Sequence, residues 1–266
     1  MYGDHGRFAY HYTTANAAFA HILPTRKLRL SSLVEMRDPV ENKDWVQVLL
    51  PPPSWSASDM QEFEVVVHQV IYETKILSFT VDLPEAGRRP EHARGYARPR
   101  MWEQYAENHQ GVCLVFDLTS LRARIETEAA RFQRAIFGPV SYSDVPLESH
   151  ENARSLDAKD LVVTGGGDYK RGLAVHIEEH AQELFFRKLT DWSTESEYRS
   201  VVAVRGASEV AVDFGESLRA VVLGEHFPSW QIPAAAEMCR ASGIDLRQIR
   251  WGAFPPGVFD PCAGAD

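Results

Sequence analysis

Residues 64–81, EVVVHQVIYETKILSFTV, decide the fold. Their density of β-branched residues predicts two strands in succession, although the first half would also suit a helix. Upstream, FAYHY at 8–12 reads as a short opening strand rich in aromatic β-formers. Thr13 or Thr14 is placed to cap the helix that follows, ANAAFAHIL, which Pro24 stops, and a brief strand comes at 28–30. Downstream, RMWEQYAENH is a helix closed by Gly111, and VCLVF after it has the apolar run of a buried strand. A helix over 118–131 and an extended stretch over 135–142 come next. Gly165, Gly166 and Gly167 form a hinge before a long helix over 169–188. Strands at 198–204 and 218–223, a helix at 234–241 and a last strand near Ile249 complete the pattern. Strands do not alternate regularly with helices, so an α+β domain is expected rather than a doubly wound sheet. One domain over 1–254 and an irregular tail over 255–266 follow, with a surface loop at 51–58, PPPSWSAS.

A chain of 266 residues that is 44% hydrophobic can bury a sizeable core without staples. The formal net charge of -9 sets the molecule as a whole against nucleic acid and anionic membrane, while a local basic patch can still bind phosphate. Cys113, Cys239 and Cys262 lie far apart, without metal-ligand spacing or a disulfide framework. The opening MYGDHGRFAYHYTT has no apolar leader, and no run is long enough for a membrane span, so a cytoplasmic protein with no membrane partner is expected.

The segment richest in chemistry is WSTESEYR, 192–199. In a strand, residues two apart share a face, so Glu195, Glu197 and Arg199 would project together. Two carboxylates at that spacing repel, which raises one pKa, while Arg199 favours the ionised form of its neighbour. One carboxylate of such a pair suits a cationic transition state, and the other suits orienting or deprotonating an acceptor. The same string is compatible with a solvated strand face, and a strand-face carboxylate at a cleft is expected to add little to the core.

Further candidates are weaker. His11, Tyr12 and Thr13 offer donors and an aromatic face at a strand end, where a ribose or an amide would fit. Trp102 and Tyr105, three apart on one helical face, would serve as a stacking platform or as plain core. HIEEH at 176–180 matches His-x-x-Glu-His, which would hold zinc with Glu179 as base. Ordinary Glu- and His-rich helices carry the same string. Arg88, Arg89, Arg94, Arg98 and Arg100 stand against Glu85 and Glu91, so a non-catalytic module binding nucleotide or nucleic acid through that loop is a further alternative.

Several of these pieces occur together in one bacterial family. The chain resembles domain-of-unknown-function family 2971 in YHYTTANAAFAHILPTRKLRLSS, RDPVE, LSFT, MWEQYAENHQGVCLVFD, WSTESEYR and SLRAVVLGEHF. It departs at Arg37, where Asn is expected ahead of Asp38 and Pro39, which leaves that turn a structural role only. The family's layout is in turn similar to the ADP-ribosyltransferase superfamily. That resemblance implies a split, mostly antiparallel sheet flanked by helices and an enzyme that cleaves NAD at its nicotinamide–ribose bond. ADP-ribose would pass to an acceptor that is a protein side chain, a nucleobase, a small molecule or water. It also implies a His or Arg on an early strand, matched by His11, and a Glu on a late strand, matched by Glu197. The middle residue is Ser78 or Tyr105. By the same resemblance Glu197 would hold the ribose and face the oxocarbenium-like cation, and Glu195 would assist the acceptor. Tyr105 or Tyr12 would stack on nicotinamide, and the arginine loop would meet the pyrophosphate.

Overall fold

The computed structural model describes residues 6–38, 41, 48–52, 54–84, 90–131, 135–145, 153–204, 206, 209–252 and 256–263. The first third runs β1 (Phe8–Thr13), a π-helical stretch (Ala17–Ile22), α1 (Leu23–Thr25), β2 (Lys27–Ser32), β3 (Val48–Leu50), α2 (Ala57–Glu73) and β4 (Thr74–Val81). The middle runs α3 (Pro90–Ala93), α4 (Pro99–Tyr105), β5 (Val112–Asp117), α5 (Leu118–Ala129), β6 (Ala135–Pro139), β7 (Ser141–Tyr142), β8 (Ser155–Asp157) and α6 (Ala158–Thr164). The remainder runs α7 (Tyr169–Glu179), α8 (Ala181–Phe185), β9 (Arg187–Lys188), β10 (Glu197–Ala203), β11 (Val210–Asp213), β12 (Leu218–Leu223), α9 (Ile232–Ala241), β13 (Asp245–Arg250) and β14 (Gly257–Phe259).

The main sheet is open and takes the order β11-β2-β4-β1-β5-β12-β13-β14, with β10 and then β6 attached at β4. It is antiparallel except where β12 runs parallel to β13. One face carries Leu77, Phe79, Leu114, Phe116 and Val221 under the π-helical stretch, α5 and α9. The opposite face is covered in two parts. Trp102 of α4 packs on Tyr10, Tyr12, Val115 and Val222, and α2, α6, α7 and α8 pack Phe63, Leu173 and Phe185 on Ile76 and Val201. The α+β expectation with a mostly antiparallel sheet between helices therefore holds.

Strand β4 is the hub. One edge pairs with β10 throughout, from Glu197 opposite Thr80 to Ala203 opposite Thr74. The other edge is shared. Strand β2 takes Lys75 and Ile76, and β1 takes Thr80 and Val81. Between them Leu77, Ser78 and Phe79 have no strand partner on that side among the described residues, and the sheet opens there.

Several local expectations are corrected. Residues 64–73 are the body of α2, not a strand. Ser56 and Asp59 form a reciprocal capping box, with the Ser56 N–H donating to Asp59 Oδ2 at 2.7 Å. Phe63 and Val67, one turn apart, bury the inner face. The helix after β1 runs one residue past Pro24, to Thr25. Arg26, in the left-handed region at φ 56°, ends it. The long helix expected over 169–188 breaks at His180 into α7 and α8 and gives way to β9. Gly166 and Gly167, at φ 66° and 103°, close α6, so the expected hinge is helix-capping chemistry. The tail expected to be irregular supplies β14, which pairs with β13. Strands β3, β8 and β11 were not foreseen. Pro39, Glu85, Arg88 and Arg89 lie outside the described residues, as do 264–266 at the end of the tail.

Candidate active site

A cleft of about 250 Å3 opens at the gap between β1 and β2, with the free edge of β4 as its floor. Glu195 and Glu197 line it, and so do Glu41, Lys188, Ser78 and Tyr105. Strand β10 places Glu197 and Arg199 on one face, as alternation requires. Glu195 does not lie on that strand. It ends a 3-10 turn (Thr190–Glu195), and Ser196, left-handed at φ 45°, turns the chain into β10. The two carboxylates meet through that turn rather than through strand spacing.

The groups form one buried ionic network. Arg199, fully buried, grips Glu197 with both arms of its guanidinium, Nε to Oε1 at 2.5 Å and Nη2 to Oε2 at 3.0 Å. Its Nη1 donates to Glu41 Oε1 and, at 2.8 Å, to the Phe185 carbonyl, which the break after α8 leaves available. Lys188 Nζ donates to Glu195 Oε2 at 2.7 Å and lies 2.9 Å from Glu197 Oε2. The Tyr105 hydroxyl donates to Glu195 Oε1 at 2.7 Å, and Ser78 hydrogen-bonds Glu197. Both candidates for the middle residue thus enter the cleft, each on a different carboxylate.

Burial pushes the Glu197 carboxyl up, but Arg199 and Lys188 outweigh it and hold the group at about 2, so it is permanently ionised at neutral pH. The carboxyl that repulsion and burial do raise is Glu41, through burial first and against the pull of Arg199 and Lys188. Of the Glu195–Glu197 pair, Glu197 is thus not a raised carboxyl. Burial and the neighbouring Glu195 raise the Tyr105 hydroxyl, which stays a neutral donor.

A pH prediction follows. A carboxyl depressed in the folded state from 4.5 to about 2 contributes stability in full above its unfolded value, and loses it as pH falls through that window. The contribution is on the order of 3 kcal/mol. Glu41, raised, has the opposite sign and regains part of it on protonation. Urea melts should show stability falling steeply below about pH 4.5, and Glu197→Gln should flatten that limb. Equal slopes for the two proteins would rule the linkage out.

The remaining sites take varied positions. His11 alternates to the opposite face of the sheet from Glu197 and packs on Phe79, with centroids 5.8 Å apart. It borders the cleft only through the gap, where its Nδ1–H donates to the Ser78 carbonyl at 3.2 Å. Burial lowers its pKa, against that hydrogen bond, so the ring is neutral. Tyr12 borders the cleft but spends its ring on Trp102, edge-on at 5.1 Å, and its hydroxyl on the Gly95 carbonyl at 2.6 Å. Trp102 is fully buried, with its indole N–H donating to the Tyr96 carbonyl at 2.8 Å, and it lies outside the cleft as core. Thr13, paired with Val112 at the end of β1, is outside it as well.

Of the arginine loop, Arg94 is buried against Asp82 at 3.1 Å and Arg98 is buried with its guanidinium donating to the His92 and Ala93 carbonyls. They fasten the loop rather than offer charge to a ligand. The cations at the cleft are others. Arg37 lies over the Tyr105 ring at 4.5 Å, and Arg29 lines the same wall, so the turn at Arg37 stands beside the cleft. In HIEEH, His176 Nε2–H donates to the Ala153 carbonyl at 2.8 Å and its ring lies tilted 4.4 Å from that of His180, and among the described residues no third ligand completes a metal group.

Sequence reasoning missed Lys188 and gave Glu41 no role. RDPVE was the one signal for Glu41. Lys188 had none, at the end of what read as a helix.

Residues 101–200 match the model of a family described as protein of unknown function (DUF2971), a span that holds Tyr105, Lys188, Glu195, Glu197 and Arg199 but neither Glu41, His11 nor Ser78. No curated protein and no solved structure matches the chain. Among the described residues no helix is long and apolar enough to cross a membrane.

Proposed function

We propose that the cleft binds NAD and cleaves its nicotinamide–ribose bond, passing ADP-ribose to an acceptor. The observation that carries this reading is the buried network at the cleft wall. Glu41, Glu195 and Glu197 face two buried cations, Lys188 and Arg199, so this buried cluster carries one carboxylate more than it has cations, while Arg29, Arg37 and Glu35 line the rest of the cleft. A ligand that brings or develops positive charge restores the balance. NAD does both, through its pyridinium and through the oxocarbenium-like ribose formed when the C–N bond breaks. The electron pair of that bond goes to the nicotinamide nitrogen, so the leaving group departs neutral and needs no acid. What catalysis requires is a fixed, ionised carboxylate beside the sugar. Glu197 supplies it, held by Arg199, Lys188 and Ser78.

A cleft of about 250 Å3 is small for a whole dinucleotide. It suits the nicotinamide riboside half, with Tyr105 alongside and the pyrophosphate at the mouth near Arg29 and Arg37. The residues of the cleft, rather than Trp102 or Thr13, are the ones assigned to the ligand.

Thermal melts test the reading. Tenfold excess of NAD over its Kd stabilises by about 1.4 kcal/mol, which for a chain of this size raises Tm by roughly 2–4 °C. Zinc chelators should leave Tm unchanged. No shift at millimolar NAD and no nicotinamide release from labelled NAD would overturn the reading, and loss of stability on chelation would favour the zinc site at His176 and His180.

A further inference from the structure

The network is unevenly saturated. Glu195 has one oxygen on Tyr105 and the other on Lys188. Glu197 has both oxygens on Arg199 and one also near Lys188. Glu41 differs. It is as buried as the other two, its Oε1 is held by Arg199, and its Oε2 is buried without a hydrogen-bond partner among the described residues, with Lys188 Nζ 3.8 Å away. A buried carboxylate oxygen left unpaired is costly, and native structures leave few of them. In a residue that lines the cleft, it marks a place where a ligand's donor belongs.

We propose that Glu41 is the general base of the transfer, its Oε2 accepting the proton of the attacking nucleophile. The proposal rests on the NAD-cleavage reading and moves the acceptor role from Glu195, whose oxygens are occupied. In the step, the C–N bond to nicotinamide breaks and its electron pair stays on nicotinamide. A lone pair on the nucleophile's atom X forms the new bond to the ribose carbon, while the X–H bond breaks, leaving its electrons on X and passing its proton to Glu41. The groups facing Glu41 are Arg199, Lys188 and Glu197. Burial keeps Glu41 more basic than an ordinary carboxyl, which suits a base, whereas Glu197 at about 2 is too weak for that task. A nucleophile that must be deprotonated, such as water, a hydroxyl or a protonated nitrogen, is the class of acceptor implied.

The experiment follows nicotinamide release and the ADP-ribosyl product for the wild type and Glu41→Gln, with and without sodium azide. Azide attacks as an anion and needs no base. Glu41→Gln should lose about 10² or more in kcat with KM for NAD little changed, and azide should restore most of the rate with ADP-ribosyl azide as product. Glu197→Gln, impaired in stabilising the cation, should not recover with azide. Because Glu41 also holds Arg199, Glu41→Asp is examined in parallel. It keeps the charge and withdraws the oxygen, and should show the same azide rescue. A folded Glu41→Gln protein that is unimpaired, or impaired and not rescued, overturns the base role and leaves the NAD reading standing. A wild type that neither binds NAD nor releases nicotinamide overturns both.

Discussion

Arg199→Ala should lower stability by about 3–5 kcal/mol, the usual cost of removing one partner from a buried ion pair. The reason is geometric. Arg199 is fully buried and is the shared partner of Glu197, Glu41 and the Phe185 carbonyl. Alanine would leave two buried carboxylates with only Lys188 between them. Thermal melts should show Tm lower by roughly 10 °C. Arg199→Lys should fall between the two proteins, because an ammonium keeps the charge but cannot make the two-armed contact with Glu197. A loss under about 1 kcal/mol for Arg199→Ala would mean that the network is wet and loosely held, as exposed pairs are.

Glu197→Gln should reduce turnover of NAD by about 10² or more while NAD affinity changes little, because the benefit of its charge arises mainly in the transition state. The substitution is near-isosteric, and an amide oxygen can still accept from Arg199. Some stability will be lost, since Glu197 is buried and paired with Arg199 and Lys188. A strand-face carboxylate with little bearing on the core, as the sequence implies, is not what the structure contains. Nicotinamide release must therefore be measured well below the melting temperature of the variant. Unimpaired release by folded protein would reduce the network to a structural device, and the proposed mechanism with it.

The sequence by itself determined the elements whose signals are local. FAYHY and VCLVF became neighbouring strands β1 and β5, because aromatic and β-branched runs fit a pleated, half-buried surface. The two-residue period of Glu197 and Arg199 put them on one face of β10. Residues 64–73 misled because β-branched density is a weak prior. The capping box at Ser56 and Asp59 and the spacing of Phe63 and Val67 were the stronger signals, and burial of one helical face decided the matter. The candidate site was legible only in part. Glu195 and Glu197 stand out as a pair in the sequence, but Glu41 and Lys188 lie far from one or both of them along the chain or behind a helix break. Only the tertiary structure, in which β4 divides one edge between β1 and β2 and Arg199 draws Glu41 onto Glu197, brings them to one cleft. The extra carboxylate of the buried cluster and the Glu41 oxygen without a partner among the described residues are properties of that assembly, because burial and partner distance exist only once the chain has closed around them.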